Sequence, residues 1–165
     1  MKKTKANKTW NNKINWKVLI ICLIIVCAVA LIGSIFTTKA VKSEWYQSIK
    51  PSITPPNLVF PVVWTILFFL IALSLYISWV KANKKQKNDV ILIYGINFIL
   101  NIMWSVFYFG MKNPLIAFFE IIALLVSIIA MISVSNKISK NAGYLLIPYL
   151  LWVGFALILN LLTII

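Results

Sequence analysis

Apolar and polar positions alternate along this chain in long blocks. Residues 18–36, 58–80, 90–109, 115–134 and 144–165 are five apolar runs of about the length that crosses a hydrocarbon core of roughly 30 Å as one helix. The connectors between them are short and carry most of the lysines. This pattern predicts an all-α fold, an integral membrane bundle of five transmembrane helices spanning residues 18–165. A basic tail over residues 1–17, with Trp10 and Trp16 as candidate surface anchors, is expected to be disordered. The first run is too long for the apolar core of a signal peptide, about 7–15 residues, so it is expected to stay as a helix.

The connector and helix start at residues 45–64, WYQSIKPSITPPNLVFPVVW, stand out within the pattern. They hold four of the six prolines, Pro51, Pro55, Pro56 and Pro61. Proline fixes φ and lacks an N–H, so residues 50–56 are excluded from a regular helix. Pro61 falls in a first helical turn, where the missing donor costs nothing. The expected result is a stiff aromatic strap, carrying Trp45, Tyr46 and Pro55, that covers one end of the bundle.

Composition narrows the function classes. Sixteen lysines face three acids, Glu44, Asp89 and Glu120, and the chain has no arginine or histidine. The lysines lie between apolar runs rather than along one basic face, and base-stacking motifs are missing, so nucleic acid is not expected as a partner. Membrane lipid is. Twelve lysines fall on the side of the tail and the second and fourth connectors, and four on the other. By the positive-inside rule the N-terminus is expected in the cytoplasm, with the proline strap and the C-terminus outside. Cys22 and Cys27 are five residues apart on one helix, about 140° around its axis, and cannot pair with each other. With no histidine and no cluster of acids or thiols, neither a metal site nor a cofactor is expected.

Candidate chemistry sits inside the runs. Tyr94, Asn97, Asn101, Trp104 and Tyr108 recur every three or four residues, which places them on one helical stripe. Carboxamides are costly against lipid, so the stripe is expected to face the bundle or a cavity. Glu120 is the one acid within a run, and it is expected to share hydrogen bonds with Asn97 or Asn101. In the fifth run Pro148, Trp152, Phe155, Ala156 and Asn160 fall near one face, where Gly154 and Ala156 leave room and the aromatics supply flat surface. Counted along the two helices, Trp152 is expected to lie several ångströms deeper than Trp64. For each of these features, ordinary interhelical packing and hydrogen bonding is the competing reading.

Taken together, Trp45-Tyr46…Lys50-Pro51…Pro55-Pro56…Trp64, then Asn97…Asn101…Trp104, then Pro148-Tyr149-x-x-Trp152-x-x-Phe155-Ala156-x-x-x-Asn160, resemble the tryptophan-rich sensory protein / translocator protein (TspO/MBR) family over about residues 20–162. The resemblance implies a five-helix membrane protein, often a homodimer, that binds porphyrins such as protoporphyrin IX or related hydrophobic ligands between its helices, with a sensory or regulatory role. By position it implies Tyr46, Trp64, Asn101, Trp152 and Ala156 as pocket residues, with Glu120 at a place usually held by aspartate. It also implies an alternative activity, light-dependent oxidative breakdown of protoporphyrin IX, with Trp64 and Trp152 as the residues involved. The chain departs from the family pattern at Ile53, where the strap usually has tryptophan, and it lacks the cholesterol-recognition segment at the end of the fifth helix. Transport is a further reading. The absence of an inverted repeat or a pair of broken helices argues against a secondary transporter. A purely scaffolding bundle would have no pocket.

Overall fold

The computed structural model describes residues 14–165, so most of the predicted basic tail, Trp10 included, lies outside the described residues. Seven α-helices follow in order: α1 (Trp16–Ala40), α2 (Glu44–Ile49), α3 (Val59–Lys81), α4 (Lys84–Ser105), α5 (Pro114–Ile138), α6 (Lys140–Tyr144) and α7 (Ile147–Leu162). α1, α3, α4 with its extension, α5, and α6 with α7 make five spans long and apolar enough to cross a membrane. The protein is an integral membrane bundle. Large apolar side chains such as Ile24, Leu31, Ile35, Phe119 and Leu151 point outward, which suits a surface bathed in lipid rather than water.

Local chemistry sets the helix ends. Asn15 caps α1 by accepting from the Val18 N–H. Asn83 and Gln86 form a reciprocal capping box at the start of α4. Asn113 caps α5, whose first residue is Pro114. Between α2 and α3 the strap lacks regular helix, as its prolines require, and turns through the bond from the Thr54 N–H to the Pro51 carbonyl at 3.0 Å.

Two features depart from uninterrupted runs. α4 ends in a π-helical turn, Val106–Gly110, closed by the Met111 N–H on the Val106 carbonyl at 2.8 Å. The wider turn leaves the neighbours Tyr108 and Phe109 both buried, and Lys112 reverses the chain at φ 51. The fifth span is broken at Leu145 and Leu146, because Pro148 belongs to the first turn of a new helix.

The spans close into a ring. α1 lies between α3 and α4; α5 lies between α4 and the α6–α7 span, which returns to α3. The interior holds Val26, Ile71, Tyr94, Ile121, Ile128, Met131 and Tyr149. One end of the ring carries α2, the strap, the π turn and the end of α7. The other carries the α3–α4 and α5–α6 connectors, where Lys81 Nζ donates to Ser139 Oγ at 3.2 Å.

Candidate functional site

The stripe on α4 faces inward as its spacing requires. Tyr94, Asn97, Asn101 and Tyr108 are buried and Trp104 is half-buried. Asn97, Asn101 and Trp104 each find a partner on another helix. Asn97 Nδ2 donates to Ser127 Oγ at 2.8 Å, and Asn101 Nδ2 donates to the Tyr149 hydroxyl at 3.0 Å. That hydroxyl donates in turn to Asn97 Oδ1 at 3.3 Å. Trp104 Nε1 donates to Asn160 Oδ1 at 3.3 Å, and Asn160 Nδ2 donates to the Pro114 carbonyl at 2.8 Å. These bonds tie α4 to α5 and α7 at two depths.

This arrangement corrects the expectation for Glu120. Its side chain is buried, but Asn97 and Asn101 are engaged by Tyr149 and Ser127, and neither carboxyl oxygen has a hydrogen-bond partner among the described residues. Buried polar atoms are nearly always paired, so an orphan carboxyl marks a place with unmet bonding capacity. The indole Nε1 of Trp152 is buried and unpartnered in the same way, as is Oγ1 of Thr54 in the strap.

The aromatic residues of α3 and α7 interleave. Phe60 meets Trp152 with ring centroids 5.8 Å apart, and Trp64 meets Tyr149 at 6.1 Å. α3 runs away from the strap end and α7 runs towards it. The pairing therefore puts Trp152 about one helical turn nearer the strap than Trp64, which reverses the expected order of depth. The reason is the break before Pro148: α6 fills the lower part of the fifth span, and α7 starts well inside the bundle. Phe155 packs beside Trp152 at 5.7 Å, and Ala156 is half-buried on the same helix.

Tyr46 sits in an adjoining cluster. Its ring lies 5.7 Å from Phe109, and burial raises its hydroxyl pKa above the usual tyrosine value. Trp104 joins the two groups, stacked on Tyr108 at 5.1 Å and edge-on to Phe109 at 5.7 Å. Pro55 is half-buried in the strap, while Ile53 is exposed. The strap half of the bundle thus collects the predicted residues on five helices, α2, α3, α4, α5 and α7, and the strap. Phe60 and Tyr149 belong with them and were not among the predicted site residues. Their signals are present: Phe60 is one turn before Trp64, and Tyr149 lies three residues before Trp152. A groove of about 370 Å³ between α1, α3 and α4 lies at the other end; Tyr94 of the α4 stripe lines it, but none of the residues expected to bind the ligand does.

The TspO/MBR family model matches residues 20–165. The chain belongs to the TspO/MBR family. Among relatives, a tryptophan-rich protein TspO of Chlorobaculum tepidum is 38% identical over 86% of this chain and 90% of its own length. A tryptophan-rich sensory protein of Cereibacter sphaeroides is 31% identical over 79% of this chain and 83% of its own. A translocator protein of Ovis aries is 28% identical over 78% and 79%. The match takes in all five spans of this TspO/MBR chain, the strap and the interleaved aromatics.

Proposed function

We propose that this TspO/MBR chain binds porphyrins, protoporphyrin IX-like tetrapyrroles, or related hydrophobic ligands among the aromatics beneath the strap, in a sensory or regulatory role. The observation that carries this reading is that two buried polar groups on neighbouring helices, the Glu120 carboxyl and Trp152 Nε1, have no partner among the described residues. An unmet buried donor or acceptor costs about 1–3 kcal/mol. A tetrapyrrole offers pyrrole nitrogens and carboxylates to such groups, and a flat apolar face to Phe60, Trp64 and Trp152. Binding would require those rings to part, as aromatic pairs held by about 1 kcal/mol each can do. In this reading the protein works as a homodimer in the cell membrane, with its N-terminus in the cytoplasm.

Titration of the purified protein with protoporphyrin IX in the dark, followed by calorimetry, tests the proposal. Saturable binding at micromolar affinity or tighter supports it. No heat of binding overturns it.

A second reading is light-driven oxidation of the bound porphyrin by dioxygen. The run of rings from Phe60 to Trp152 and from Trp64 to Tyr149 favours it, because it sets two oxidisable indoles on facing helices. Porphyrin absorbance that is stable under illumination in air would exclude this activity while leaving binding intact.

A further inference from the structure

The groove between α1, α3 and α4 lies at the lysine-rich end, away from the strap. Its walls are Val18, Ile21, Cys22 and Ile25 on α1, Leu75 and Trp79 on α3, and a stripe from Val90 to Phe98 on α4. Gly95 lines it, and a Cβ there would meet no atom within 4 Å. The space is therefore partly the absence of a side chain.

A lysine heads each of two walls. Lys17, Ile21 and Ile25 fall at i, i+4 and i+8 on α1, so Lys17 continues the stripe that lines the groove. Lys87, Ile91, Tyr94 and Phe98 do the same on α4. Lys87 Nζ is held 5.0 Å over the ring of Trp79, itself a wall residue. Asp89 is two residues from both Lys87 and Ile91, about 200° around the helix from each, and so lies off this face. Among the described residues Asp89 is the one acid at this end, against seven lysines: Lys17, Lys81, Lys84, Lys85, Lys87, Lys137 and Lys140.

We propose that this groove binds an anionic glycerophospholipid, with an acyl chain along its apolar walls and the phosphate held by Lys17 and Lys87. Charge complementarity selects this occupant. Basic residues at a bilayer surface attract anionic headgroups, and the space beneath the two cations is apolar. A sterol hydroxyl has no use for two cations. A second copy of the chain would bring its own lysines against this rim. The site lies away from the strap and stands whether or not a porphyrin binds there.

Tryptophan quenching tests the site. The full chain is reconstituted in phosphatidylcholine bilayers containing either phosphatidylglycerol or phosphatidylcholine with brominated acyl chains, which quench indoles on contact. The contribution of Trp79 is the difference between the parent chain and Trp79→Phe. At equal mole fraction, brominated phosphatidylglycerol should quench Trp79 several-fold more than brominated phosphatidylcholine. Replacing both Lys17→Gln and Lys87→Gln should bring the two lipids to parity. Gly95→Leu, whose side chain enters free space, should reduce quenching by both lipids. Equal quenching in the parent chain would mean ordinary annular lipid and would overturn the proposal. So would an anionic preference that survives neutralisation of both lysines, or stronger quenching by a brominated sterol.

Discussion

Asn101 donates to the Tyr149 hydroxyl at 3.0 Å, a contact that helps join α4 to α7 in the middle of the bundle. Because the same hydroxyl donates to Asn97, one oxygen satisfies two carboxamides. Tyr149→Phe keeps the ring against Trp64 but leaves Asn97 Oδ1 and one Asn101 donor bond unmet. Interhelical hydrogen bonds in membranes contribute about 0.6–2 kcal/mol. Thermal unfolding in detergent should show a loss of about 1 kcal/mol or slightly more. An unchanged midpoint would mean that water or lipid headgroups already satisfy these amides.

The fold was legible because lipid imposes a simple rule. Each crossing must be a helix of about twenty apolar residues, so five runs gave five spans. The inward face of α4 was legible for a related reason, since Asn97 and Asn101 can only face protein. Partners were harder to read. Glu120 could have reached either amide by position along the chain; the hydroxyl of Tyr149 took both, and a one-dimensional pattern carries no information on which of two neighbours is nearer. The depth of Trp152 was misread because a broken helix at Leu145 and Leu146 looks, in composition, like continuous apolar sequence. The π turn was hidden for the same reason.

Glu120 separates stability from binding. Its carboxyl is buried without a partner among the described residues, so Glu120→Leu exchanges an unmet polar group for an apolar one of similar size. The variant should unfold at a higher temperature, gaining about 1–3 kcal/mol. If the carboxyl serves a ligand, the same variant should bind protoporphyrin IX more weakly in calorimetry. A variant that is less stable would show that Glu120 is held by contacts within the bundle. One that is more stable and binds as before would remove Glu120 from the site.

Topology follows from which groups share an end. The strap, the π turn and the close of α7 lie together, while the α3–α4 and α5–α6 connectors with their lysines lie opposite. By the positive-inside rule the lysine-rich end is expected in the cytoplasm. A reporter that is active only outside the cytoplasm should therefore work when fused after Ile165 and fail when inserted between Ala82 and Lys84. The reverse pattern would overturn this orientation.

Trp64 and Trp152 should differ in a defined order. Both rings lie on facing helices, so either can stack on a planar ligand, a contact of about 1 kcal/mol beyond area burial. Phenylalanine keeps part of that stacking, and Trp64→Phe should weaken porphyrin binding only about fivefold or less. Trp152 carries a second capacity, because its Nε1 is buried and donates to nothing within the described residues. If the ligand accepts that hydrogen, Trp152→Phe loses the stacking difference and a bond worth about 1 kcal/mol more. Its affinity should fall further, to roughly tenfold below the parent or lower. The folded state, by contrast, loses an unmet donor, so the stability of Trp152→Phe should hardly change. Calorimetry with protoporphyrin IX in the dark and thermal unfolding of the same samples read both quantities. Illumination in air adds a third: if the indoles are oxidised or pass electrons, the double variant should suppress porphyrin bleaching more than it weakens binding. Equal affinity in the parent, both single variants and the double variant would place the ligand away from these two rings.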